Sequence, residues 1–272
     1  MKKSGRATFS VLFFCICLLL FQNCSQNNTS GSNPNQNFPE STALNYFKNT
    51  QKIVVDVYFE PGAEPFTGNT LSGMPYWQIL EDNLLAIFQY RSSIPVILVP
   101  KQIHEMKALA AQNKSDWLGT EILELHGKTN HERSTAAEAH FSVYFLKGNF
   151  NSGNGPSANV LGVSITGTPV LAIFKDVINT SSSSTVVKKY VEQSTLVHEM
   201  GHALGFVNNG VPMATNHQDT AHGAHTKNSD CVMYWMNEGA SDLRNFVQKY
   251  ITSGTTVMWG PEVLLDAKNY SE

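Results

Sequence analysis

Apolar residues recur along this chain with two periods, and the alternation between them sets out its elements. Ile53, Val54, Val55, Val57, Tyr58 and Phe59 form a β-branched and aromatic run closed by Pro61 and Gly62, which predicts a strand over 53–59. Trp77, Leu80, Leu84, Ile87 and Phe88 fall at helical spacing and predict a helix over 76–91, with a strand over 95–99 after it. Further strands are expected at 121–125, 141–146, 160–165 and 170–174, punctuated by turns at Gly148, 151–156 and 167–169. Ser181 to Ser184 offer an N-cap for a long helix whose apolar positions, Val187, Tyr190, Val191, Val197 and Leu204, lead up to Gly205. Interleaved strands and helices without an internal repeat indicate one α+β domain around a mixed sheet, over residues 46–272.

The N-terminal segment is different in kind. Lys2, Lys3 and Arg6 precede an apolar run at 11–21, too short to span a bilayer and followed by Gln22, Asn23 and Cys24, so residues 1–23 read as an export signal. Leu20 to Cys24 resembles a bacterial lipoprotein signal, although Phe21 and Asn23 stand where most such signals carry small residues. The resemblance implies lipidation of Cys24 and an exported protein anchored to a bacterial cell membrane. Residues 24–45 are rich in Asn, Ser and Gln, with Glu40 as the only charge, and are expected to form a flexible tether. Cys15 and Cys17 leave with the signal and Cys24 carries lipid, which leaves Cys231 alone and allows no disulfide framework.

Composition narrows the function classes. The 272 residues are 42% hydrophobic, enough for a sizeable core, and a net charge of -3 removes the electrostatic case for a nucleic-acid partner.

The chemistry concentrates late in the chain. His198, Glu199 and His202 form H-E-x-x-H, and on a helix the two histidines share one face, about 6 Å apart along the axis, so both imidazoles reach one ion. Five of the nine histidines lie between His198 and His225, whereas His104, His126, His131 and His140 are scattered singly. A zinc ion with three protein ligands and an open position lowers the pKa of bound water to about 7. Glu199 beside it would be the general base. This is the chemistry of peptide hydrolysis.

The third ligand decides the family. His202 is followed by Gly205, which resembles the start of the metzincin signature H-E-x-x-H-x-x-G-x-x-H, but the third-histidine position holds Asn208, a poor zinc ligand. His225, Cys231 and Met233 resemble the end of the archaemetzincin pattern H-C-x4-C-x-M, with Thr226 in place of its first cysteine, and Asn237 fits that family's continuation. The resemblance implies His225 as a third ligand displaced by an inserted loop at 206–224, and Met233 as a methionine turn that packs beneath the metal. It also implies a metzincin-like fold. Long helices and a twisted mixed sheet would stand above a small, irregular and helical C-terminal subdomain, with closing helices at 241–250 and 261–270 and with 160–165 as the edge strand pairing with an extended peptide. Tyr234 could assist, although many metzincins place their tyrosine one residue later, where this chain has Trp235.

The cysteine pairs that give archaemetzincins a second metal site are broken here, so one catalytic zinc is expected. His217, Asp219 and His222 stay open as loop-borne ligands or surface residues. Asn237 to Asp242 resembles the N-E-x-x-S-D segment of thermolysin-like gluzincins, which implies Glu238 as third ligand, but the spacing from His202 is longer than that family's. Two functions follow: an anchored zinc endopeptidase acting on proteins or peptides outside the cytoplasm, or a non-catalytic surface binding protein on the same fold. The retained Glu199 favours the first. No cysteine lies between Cys24 and Cys231 to act as a latency switch, so activity on export or control by metal supply is expected.

Overall fold

The computed structural model describes residues 43–272; the expected export signal, Cys24 and the expected tether up to residue 42 lie outside the described residues. The first described element is a helix, α1 (Ala43–Lys48), that the expected tether had included up to residue 45. Tyr46 packs on Phe141, and Phe47 on Phe88, Phe206 and Tyr270, while Asn45 donates to Thr50 and to the Ala136 carbonyl. The folded unit therefore starts at least as early as Ala43. A six-residue helix is not stable by itself, and tertiary burial of its aromatic rings holds it.

The remaining elements follow in chain order. They are β1 (Lys52–Phe59), α2 (Gln78–Phe88), β2 (Val96–Leu98), β3 (Lys107–Ala108), β4 (Asp116–Trp117), α3 (Gly119–Lys128), β5 (Glu138–Leu146), β6 (Asn149–Asn151), β7 (Pro156–Ser157), β8 (Gly162–Ser164), β9 (Val170–Phe174), α4 (Lys175–Thr180), α5 (Thr185–Leu204), α6 (Ala240–Ser253) and α7 (Pro261–Ser271). The main sheet is mixed, in the order β2-β1-β5-β9-β8, with β3 also pairing β1; β4, β6 and β7 make a small second sheet. β1, β5 and β9 run parallel, and β8 closes one edge antiparallel to β9. β9 is buried at every position and β5 at all but one, as expected for parallel strands covered on both faces. Among the described residues no helix is long and apolar enough to cross a membrane.

One expected strand is a helix. Residues 121–125 belong to α3, because the Glu121 carboxylate caps the Leu118 amide and Ile122 and Leu125, one turn apart, are the two buried positions. The expected helix ending at Gly205 is α5, whose N-cap Ser184 accepts from the Val187 amide. Its residues 191–200 are all buried. Glu192 anchors it: the carboxylate pairs with Lys175 at the start of α4 and accepts from the Phe66 amide. Removing either partner would strand a buried charge, so the pair fixes the helix in its layer.

Candidate metal centre

The C-terminus of α5 carries the first two ligand candidates. Gly205 caps the helix in the left-handed region, φ 93°, where a side chain would be strained, and the chain turns away from the axis there. Asn208 follows at φ 60°, exposed, with its amide on Gln218. It is not part of the cluster. The loop 206–224 instead folds back and delivers His225, clasped on the way by Asp266 of α7. Asp266 is fully buried, accepts from the Ala214 amide at 2.6 Å and contacts His217 Nε2 at 2.7 Å.

Four donors converge. His198, His202, His225 and Glu238 each offer one ligand atom, all within 4.8 Å of one another, a group that could hold a metal ion. His198 Nε2 lies 3.1 Å from His202 Nε2 and 3.3 Å from His225 Nε2, and Glu238 Oε1 lies 3.1 Å from His225 Nε2. Nitrogens about 2.0–2.1 Å from a tetrahedral ion stand about 3.3–3.4 Å apart, so the imidazoles fit one ion.

Their orientation supports the same conclusion. His198 Nδ1 donates to the Val232 carbonyl at 2.7 Å and His225 Nδ1 to the His222 carbonyl at 2.5 Å, which leaves both Nε2 atoms without a proton in the neutral rings. Two lone pairs facing each other across 3.3 Å repel unless a cation or a proton sits between them.

Burial and neighbouring charge set the protonation of the group. Burial, with His225 adding to it, pushes His198 down to about 4, and burial holds His202 well below its ordinary value, so both rings are neutral and free to bind metal. Burial would also lower His225, but the Glu238 carboxylate outweighs it and raises it. Partial desolvation among the imidazoles would raise Glu238, half-exposed as it is, but the bond and charge of His225 outweigh it and lower it. Glu199 is raised well above the usual carboxylate value by burial and by the charge of Glu238.

The edge strand reaches this carboxyl. Ile165 donates to Val170 and Phe174 to Leu161, so alternate amides of β8 face away from β9, and the outward Ser164 amide partly opposes the rise of the Glu199 carboxyl. From below, Met233 is fully buried and lies against Gly201 between the two α5 histidines, where any Cβ would run into its sulfur. Asn237 donates to the Cys231 and Val232 carbonyls, steadying the oxygen that orients His198.

His217 serves the Asp266 clasp; His222 pairs with Asp219 at 2.7 Å and stacks on Trp235 at 3.9 Å. None of His217, Asp219 and His222 joins the cluster, although the His222 backbone does orient His225. Glu238, expected only as a rival to His225, stands beside it. Cys231 is buried with its thiol pushed up to about 12 by burial, and it accepts from the Met233 and Gly260 amides. Three of the four histidines scattered in sequence have side-chain partners in space, since His126 stacks on His131 and His140 bridges Asp56 and Glu138. No family model matches this chain, and no curated protein and no solved structure matches it.

Proposed function

We propose that this chain is a zinc-dependent endopeptidase of metzincin type, held outside the cytoplasm by lipid on Cys24 and acting on proteins or peptides. One observation carries the reading: three imidazoles with Nε2 atoms 3.1 and 3.3 Å apart converge where α5 carries the buried Glu199 beside His198. Three imidazoles suit zinc, and His198, His202 and His225 would hold it. The ion would supply Lewis acidity, polarising a carbonyl and making water a nucleophile near neutral pH.

The chain's own groups do the rest. Glu199 accepts a proton from the attacking water and returns it to the leaving amine. The Ser164 amide favours the ionised form of Glu199, and the outer edge of β8 is the strand along which an extended peptide would pair. Gly205, the displaced His225 and the Met233 support under α5 together favour metzincin descent over the gluzincin alternative, since Glu238 accompanies His225 and does not replace it.

A second reading also has an observation behind it. Four protein donors around one ion are the mark of a closed, structural site, and Glu238 supplies the fourth. A non-catalytic surface protein would need no more than that. Cleavage of a peptide library by the zinc-loaded chain, run beside Glu199→Ala, separates the two. Cleavage abolished in the variant is the expected result; zinc bound without cleavage by either protein would reject the peptidase.

A further inference from the structure

Glu238 conflicts with the peptidase reading unless it can leave. A fourth protein donor closes the position at which water and the substrate carbonyl would have to approach. The four donors are unequally held, however. His198 and His225 are buried and each is fixed through Nδ1 by a backbone carbonyl, whereas the Glu238 side chain is 53% exposed and ion-pairs with His225 alone among the described residues.

The backbone after Glu238 points the same way. Glu238 ends the short 3₁₀ helix Trp235–Glu238, and the next residue, Gly239, forms an isolated antiparallel bridge with Val160, two residues before β8. One turn thus covers the ligand cluster with a carboxylate and the peptide-pairing edge with its own backbone. Stacking of His222 on Trp235 and the two bonds from buried Asn237 to the Cys231 and Val232 carbonyls hold the turn as far as Asn237, which leaves Glu238 and Gly239 as the part able to swing.

We propose that Glu238 and Gly239 form a displaceable stopper: Glu238 is the fourth ligand of the resting site, and a peptide pairing along the Val160 edge displaces Gly239 and the carboxylate together. The proposal rests on the metallopeptidase reading. It makes that reading compatible with a four-donor cluster, because the closed site is the resting state and the open one is created by substrate.

The test compares the full chain with Glu238→Gln, which keeps shape but removes the charged donor at a half-exposed position. Zinc affinity is measured by chelator competition, the visible absorption of the cobalt(II)-loaded protein reports the donor set, and acetohydroxamate serves as a small probe that needs an open position. The variant is expected to bind zinc at least tenfold more weakly, to show an altered cobalt spectrum, and to bind acetohydroxamate at least tenfold more tightly than the wild type. Unchanged zinc affinity and spectrum, with cleavage intact, would overturn the stopper and leave the peptidase standing. A wild type that binds neither zinc nor cobalt would overturn both.

Discussion

The support beneath the metal cluster can be tested at Gly201, where two opposing effects have known sizes. Gly201 lies inside α5, where alanine is intrinsically better than glycine by about 1 kcal/mol. The space around it is already taken. A Cβ there would collide with Met233 Sδ and come within 3.0 Å of the Trp259 ring and 3.1 Å of Met233 Cε. Met233 is fully buried and Trp259 is 6% exposed, so neither can swing into solvent. Overpacking of this kind costs about 1–3 kcal/mol, which exceeds the propensity gain and leaves a net loss of about 1 kcal/mol. For a domain of this size that is about 2–4 °C in thermal midpoint. Gly201→Ala should also weaken zinc binding, because relief of the clash displaces the turn between His198 and His202. Met233→Ala should be destabilising alone, but in the double variant it removes the obstacle, so the two substitutions should couple favourably by about 1 kcal/mol or more. A raised midpoint in Gly201→Ala, or strict additivity in the double variant, would refute the close packing of Met233 against the ligand helix.

Three further outcomes are expected. Asn208→His placed in a His225→Ala background should not restore zinc affinity in a chelator competition, because residue 208 faces Gln218 at φ 60°; recovery would mean that the short metzincin spacing is accessible after all. Asp266→Ala should lower the unfolding free energy by about 3 kcal/mol in denaturant titrations, since it leaves the Ala214 amide and His217 without their buried acceptor; a loss below about 1 kcal/mol would sink the idea that Asp266 clasps the loop. His126, pushed to about 4 by burial and then by His131, is neutral in the fold while the unfolded chain takes up a proton below about 6.5. Its contribution is therefore complete above about 6.5 and fades toward about 4, amounting to at most about 3 kcal/mol. The fall in thermal midpoint over that interval should be shallower in His126→Gln, and identical slopes in the two proteins would contradict it.

What could be read from the sequence alone divides along a physical line. Local periodicity located β1, α2, β5, β9 and α5, because burial of one face or of both leaves its mark within each segment. It failed at 121–125, where Ile122, Leu123 and Leu125 suit either a strand or a helix in so short a window, and the deciding cap from Glu121 to Leu118 is a single hydrogen bond. α1 escaped notice because its stability comes from rings contributed by α2, α7 and the loop after α5. At the site, His198, Glu199 and His202 show in the sequence through helical spacing. His225 was found only by resemblance, and lengthening a loop costs little, about 0.6 kcal/mol per doubling, so folding leaves a ligand's distance along the chain nearly free. The Val232 and His222 carbonyls and the Ser164 amide are backbone groups, and no residue type announces them. In the sequence Glu238 reads as an alternative to His225, because a linear pattern cannot show that two segments meet at one point.

The division of the donors between two segments has a consequence for the protein's lifetime. Two sit on the buried helix α5, and two arrive on chain that returns after the loop 206–224, so an ion bound among them fastens the last quarter of the chain to the core. Under the proposed reading that fastening adds RT ln(1 + [Zn]/Kd), about 2.7 kcal/mol when free metal is a hundred times the dissociation constant. Starved of metal, the returning chain would open more often and become the first part of the molecule to be cut by neighbouring proteases. Exported as proposed, the protein would be out of reach of cytoplasmic machinery for refilling or refolding, and this arrangement would couple its persistence to its metal content. Copies without the ion would be removed and would not accumulate as inert competitors for substrate.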